Sequence, residues 1–284
     1  MPERLHIRDA LAQARAAGVQ RLDAQWLLGH LLQQPRAWLL AHDDEALPSA
    51  AATAWPALLA RRAAGEPLAY VVGEREFCGL RLAVSPAVLV PRPETELLVE
   101  WAQACWATAP APTVIDLGTG SGAVALALKH RLPAAQVLAT DASPAALAVA
   151  SANANALGLA VDFTTGHWWQ AAAGARFGLA VSNPPYIAAE DLHLAALGHE
   201  PQLALTPGGD GLDALRQIIA GAPSHLLSGA WLLLEHGHDQ ADAVQALLLT
   251  TGFEAVQTRL DLAGQPRCTG ARWPSENLCR PELG

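Results

Sequence analysis

Thr113-Val114-Ile115-Asp116-Leu117-Gly118-Thr119-Gly120-Ser121-Gly122 is the stretch that decides the fold of this chain. Thr113–Leu117 reads as a short buried strand, and the apolar run Ala123–Arg131 that follows reads as a helix. Between them glycine occupies every second position. Glycines permit a tight turn and let backbone N–H groups approach a ligand at the amino end of the helix. A dinucleotide-binding turn carries the spacing G-x-G-x-x-G. This one is G-x-G-x-G behind Asp116, and a carboxylate there repels a pyrophosphate but suits a cationic amino-acid portion.

Outward from this turn the pattern alternates. Strand candidates are 136–140, 161–165, 179–182, 230–235 and 255–260, with helix candidates at 144–157, 211–222 and 239–251. Ser143 is a good cap and Pro144 suits a first helical turn. The alternation predicts an α/β fold, a Rossmann-like, mostly parallel sheet with helices on both faces. Ligands of such sheets bind beyond the carboxyl ends of the strands. Residues 1–75 differ. Leu5, Ile7 and Leu11, then Leu22, Trp26, Leu27 and Leu31, make one-sided apolar stripes, and 50–64 is a further helix candidate. We read a small helical domain over 1–75 and the α/β domain over 93–284. Between them, over 76–92, Phe77–Val84 and Ala87–Val90 suggest two strands of a β-hairpin linker around Ser85-Pro86.

Half of the 284 residues are hydrophobic, which supplies a full core. The formal net charge of −9 argues against stable nucleic-acid binding, which needs clustered Lys and Arg. No apolar run reaches the length of a membrane span, and the first residues lack the apolar segment of a secretory signal. Cys78, Cys105, Cys268 and Cys279 form no C-x-x-C pair, so neither a disulfide framework nor a zinc site is expected, and a reducing cytoplasm is the simplest compartment. His236 and His238 lack a third ligand and are expected to hold no metal.

Asn183-Pro184-Pro185-Tyr186 follows the strand candidate at 179–182. Its prolines keep the chain extended and present Asn183 at a strand end. The asparagine side-chain carbonyl can accept a hydrogen bond from a planar NH₂ group, and Tyr186 offers a flat face for such a group. The Pro184 backbone carbonyl supplies a second acceptor. This is chemistry for gripping a carboxamide or the exocyclic amine of a base. Asp141 ends the strand candidate at 136–140, the one that follows the glycine turn, where a carboxylate can accept both hydroxyls of a ribose. A ribose with an ammonium and sulfonium partner describes S-adenosylmethionine.

With these motifs the chain resembles the release-factor glutamine methyltransferases of the HemK/PrmC type, a branch of the class I S-adenosylmethionine-dependent methyltransferases. The resemblance extends over Pro91-Arg92-Pro93-Glu94-Thr95-Glu96, the loop 116–122, Asp141, Asn183–Tyr186, Glu235-His236-Gly237 and Asp261–Arg267. It implies N5-methylation of the glutamine in the Gly-Gly-Gln motif of class I peptide chain release factors. It further implies that Gly118, Thr119, Gly120, Ser121 and Gly122 line the methionine portion and that Asp141 holds the ribose. Trp168 then lies beside the adenine, and Asn183 binds the substrate amide near the methyl donor. His167 departs from the family, which often carries an acid before that tryptophan. Two rival substrates share the same grip, the adenine N6 amine of DNA or RNA and a glutamine of a ribosomal protein. A base must be flipped out of a polyanion, which an acidic chain does not favour.

Overall fold

A computed structural model describes residues 4–172 and 174–275; Cys279 lies outside them. The chain divides into two compact units between Glu74 and Arg75. The first is helical: α1 (Ile7–Ala16), α2 (Arg21–Leu32), α3 (Arg36–Ala41), α4 (Ser49–Ala63) and α5 (Leu68–Val72). Ile7, Leu27, Leu28, Leu39 and Trp55 form its core, each less than 2% exposed. Arg62 on α4 reaches Asp23 on α2 at 2.8 Å, and Trp55 Nε1 donates to Gln13 on α1 at 3.1 Å.

The hairpin of β1 (Glu74–Phe77) and β2 (Leu80–Ala83) follows. Its place corrects the expectation of a strand at 87–90. Cys78 and Gly79 both take left-handed backbone angles, φ 50° and 81°, so the chain reverses there in two residues. The stretch 84–92 carries no strand; Val88 and Val90 are buried, and Val90 N–H donates to Glu200 Oε2 at 3.0 Å.

After α6 (Glu96–Trp106) come β3 (Thr113–Leu117), α7 (Ala123–Arg131), β4 (Gln136–Asp141), α8 (Pro144–Leu157), β5 (Asp162–Thr165) and β6 (Phe177–Ser182). Next are α9 (Asp213–Gly221), β7 (Leu226–Glu235), α10 (Ala241–Thr251), β8 (Glu254–Leu260) and β9 (Pro266–Arg272). The strands make one seven-stranded sheet in the order β5-β4-β3-β6-β7-β9-β8. It is parallel except for β9, which runs against both its neighbours. This is the predicted mostly parallel α/β architecture, with β9 a strand the sequence reading did not include. From β3 the chain builds outward to β5 and then crosses back to β6 on the other side of β3. The switch point therefore lies between β3 and β6, where an open sheet leaves a crevice beyond its strand ends. Ser182 Oγ donates to Leu117 O at 2.6 Å and locks those two ends together. All six residues of β6 are buried, as expected of an inner parallel strand covered on both faces.

Candidate active site

A cavity of about 450 Å³ opens at this switch point. The glycine turn after β3, Asp141 at the end of β4, Trp168 after β5 and Asn183 after β6 all reach it, because parallel strands bring their carboxyl ends to one side. The turn is pinned to β4: Gly118 and Thr119 N–H groups donate to Thr140 O at 2.8 and 2.9 Å. Asp141 Oδ2 accepts from Gly120 N–H and Oδ1 from Ser143 N–H, both at 2.9 Å. Two backbone donors thus fix the carboxylate, and each oxygen keeps a lone pair for a further donor.

Asp116 lies beneath the turn, only 1% exposed. Its Oδ2 accepts from Thr119 Oγ1 at 2.6 Å and from Ala125 N–H, in the first turn of α7, at 3.1 Å. Burial still pushes its pKa up to about 7. A buried acid with too few donors, facing a cavity, is a natural partner for a cation.

Trp168 lines the cavity and Trp169 does not. A short 3₁₀ segment turns the two rings to opposite sides, with Trp168 at a left-handed φ of 45°. Trp169 is buried, donates to Ile218 O at 2.8 Å and stacks on His225. Gly118 takes a left-handed φ of 75°, which favours glycine, and the Trp168 ring lies close enough that a Cβ there would sit 3.2 Å from it. His167 lines the cavity as well.

Asn183 faces the cavity, and its Nδ2 donates to Thr95 Oγ1 at 3.1 Å. Pro185 lines the cavity; Pro184 and Tyr186 do not. Tyr186 is instead directed into the protein, its hydroxyl 3.3 Å from Glu235 Oε1. Burial and the neighbouring Glu235 raise the phenol pKa further. Glu235 ends β7 with 1% exposure. Burial pushes its pKa up to about 7, against the opposing effects of the Thr95 hydroxyl and the Arg267 guanidinium.

Thr95 and Glu235 stand in segments that carry the family resemblance but receive no role from sequence, and Glu200 is not singled out at all. Glu200 is buried and holds the cavity wall by accepting from Val90 N–H and pairing with Arg92, itself a lining residue. Its signal, an isolated acid in a loop, is indistinguishable from a solvated one. His236 is a satisfied core residue, its ring bonded to Thr269 Oγ1 at 2.7 Å and Gly237 O at 2.8 Å. Among the described residues no cluster of His, Cys, Asp and Glu could hold a metal ion, and no helix is long and apolar enough to cross a membrane.

The donor set suits S-adenosylmethionine: a buried acid for an ammonium, a fixed carboxylate for a ribose, an indole for a base and a glycine turn for close backbone approach. Fold and cavity are those of an S-adenosylmethionine-dependent methyltransferase. Residues 5–73 match the PrmC N-terminal domain and residues 93–212 the methyltransferase small domain. The chain is 51% identical over 267 residues to the release factor glutamine methyltransferase of Bordetella pertussis, spanning 93% of this chain and 98% of that one. It is 52% identical over 268 residues to the enzyme of the same name from Xylella fastidiosa, again over 93% and 98%. A methyltransferase structure from Pyrococcus furiosus shares the fold, with a TM-score of 0.51 at 17% identity over 69% of this chain and 90% of that one. The chain belongs to the release factor glutamine methyltransferase family.

Proposed function

We propose that this protein methylates the N5 nitrogen of the glutamine in the Gly-Gly-Gln motif of class I peptide chain release factors. The observation that carries this reading is Asn183, held at the end of β6 with its amide nitrogen engaged by Thr95 and its side chain facing the cavity.

S-adenosylmethionine, when bound, supplies an electrophilic methyl group on a sulfonium. Gly118–Gly122 and Asp116 would hold its methionine portion, Asp141 its ribose and Trp168 its adenine. The protein's own task is to present a poor nucleophile, because a carboxamide nitrogen is delocalised into its carbonyl. Asn183 Oδ1, which faces the cavity, accepts one N–H bond of the substrate amide, which fixes its plane and draws electron density toward nitrogen; Pro184, expected from sequence to supply a second acceptor, does not line the cavity. Orientation of this kind contributes up to about 7 kcal/mol of barrier lowering. Pro185, Val88 and Trp168 line the cavity with apolar surface, which favours a reaction in which the sulfonium charge disappears. As the C–N bond forms, the methyl–sulfur bond of S-adenosylmethionine would break and its electron pair stay on sulfur, leaving the neutral thioether S-adenosylhomocysteine. Glu235 does not line the cavity, so it is not placed as a base; the methylated nitrogen is acidic enough to lose its proton to solvent water.

A protein substrate fits the formal charge of −9 better than a polyanion does. In this reading the enzyme forms no stable nucleic-acid complex, works in the cytoplasm, and reads the release factor through its helical unit. Competition with labelled methyl donor tests the substrate class. Release factor, ribosomal protein, DNA and RNA are offered together, and label is expected in release factor alone. Label in nucleic acid would overturn the reading and retain the methyltransferase.

A further inference from the structure

An asparagine amide has nearly the same shape when its oxygen and nitrogen are exchanged, so only its partners decide which end faces a ligand. For Asn183 the choice matters, because an NH₂ group turned to the cavity would meet a substrate NH₂ donor to donor. Its partner is Thr95 Oγ1, 3.1 Å from Asn183 Nδ2. A hydroxyl is itself ambiguous, able to donate to Oδ1 or to accept from Nδ2. Its own proton settles the matter if another acceptor takes it.

That acceptor is at hand. Glu235 follows Leu234, which pairs with Ser182 across β7 and β6, so the register sets Glu235 beside Asn183. Tyr186 occupies Oε1, while Oε2 is buried with no hydrogen-bond partner among the described residues. Against burial, the Thr95 hydroxyl acts to lower the Glu235 pKa. Thr95 is itself 4% exposed on the 3₁₀ turn Pro93–Thr95, and its N–H is tied to Arg92 O at 3.1 Å. A buried carboxyl oxygen without a partner favours a donor, and the Thr95 hydroxyl can supply one.

We propose that Thr95 is a positioning residue that sets the Asn183 amide with its oxygen toward the substrate, and that Glu235 holds the Thr95 hydroxyl in the accepting orientation. The inference rests on the functional reading above and deepens it by identifying what makes Asn183 an acceptor.

The test compares Thr95→Val, which keeps the shape and removes the hydroxyl, with Thr95→Ser, which keeps the hydroxyl. Methyl transfer to release factor should fall about tenfold to a hundredfold in kcat for Thr95→Val, the effect of one lost polar contact, with the KM for S-adenosylmethionine unchanged. Thr95→Ser should stay near the wild type. Unchanged kcat in Thr95→Val, or equal loss in Thr95→Ser, would overturn the proposal. A second reading needs no substrate. The Asn183 side-chain NH₂ signals in ¹⁵N-labelled protein, identified by their loss in Asn183→Asp, should move in Thr95→Val and return in Thr95→Ser. Signals unmoved by Thr95→Val would contradict the proposal whatever the substrate is. Moved signals in a protein whose wild type leaves release factor unmodified would uphold the positioning device and count against the functional reading alone. Thr95→Ala removes the same hydroxyl and gives the same readings where the valine variant fails to fold.

Discussion

Asn183 Nδ2 and Thr95 Oγ1 meet at 3.1 Å across 88 positions of sequence, joining the end of β6 to the turn that precedes α6. The contact ties the grip on the substrate amide to a segment outside the sheet. If Asn183 acts only on the substrate, Asn183→Ala should lower kcat by about 10²–10³, the range for deleting one positioned polar group. Affinity for S-adenosylmethionine, measured by calorimetry, should be unchanged. Equal loss of both would make Asn183 part of the cofactor site instead.

The adjacent tryptophans separate binding from stability. Trp168→Ala should weaken S-adenosylmethionine binding about fivefold, as expected for one aromatic contact worth about 1 kcal/mol, and cost less stability than Trp169→Ala, because Trp168 is only partly buried. Trp169→Ala removes a core ring together with its bond to Ile218 O. It should cost about 3–5 kcal/mol of stability in denaturant titration.

The buried acids make both stability and binding depend on pH. Asp116 holds its proton to about 7 when folded, against 3.8 ordinarily, and Glu235 to about 7 against 4.5. Between those values the folded protein binds more protons than the unfolded chain. Stability of the ligand-free protein therefore falls as pH rises through this window and levels off above about 7. Asp116→Asn and Glu235→Gln should each flatten the fall in thermal melts. A bound ammonium favours ionised Asp116, so S-adenosylmethionine affinity should rise with pH up to about 7 with release of a proton, and Asp116→Asn should abolish that release. A proton release that survives in Asp116→Asn would assign it to another group.

The helical unit carries its own prediction. Leu22 and Trp26, one turn apart on α2, are 46% and 61% exposed, more than a packed helix face requires. If this unit reads the release factor, Trp26→Ala should raise KM for the intact factor and leave KM for a short Gly-Gly-Gln peptide unchanged. An equal change for both substrates would remove this face from recognition.

Much of this site was legible in the chain because its parts are local. A glycine turn behind an acid, an acid ending the next strand and a proline-stiffened asparagine each sit at a strand end, and parallel topology then brings the strand ends together. What escaped was non-local. Thr95 and Glu235 are ordinary residues until the β6–β7 register and the turn before α6 set them beside Asn183. Strand β9, Pro266-Arg267-Cys268-Thr269-Gly270-Ala271-Arg272, shows no alternation and few strand-forming residues, and owes its conformation to its neighbours β7 and β8. The hairpin turn was misplaced because Ser85-Pro86 is the stronger turn signal, whereas Cys78-Gly79 depends on a cysteine adopting a left-handed φ of 50°.

The central claim is tested most directly by mass spectrometry of a purified class I release factor incubated with this protein and S-adenosylmethionine. We predict a gain of one methyl group, mapped to the side chain of the Gly-Gly-Gln glutamine and lost with Asn183→Ala. An unmodified glutamine there, alongside methyl transfer to another macromolecule under the same conditions, would contradict the account.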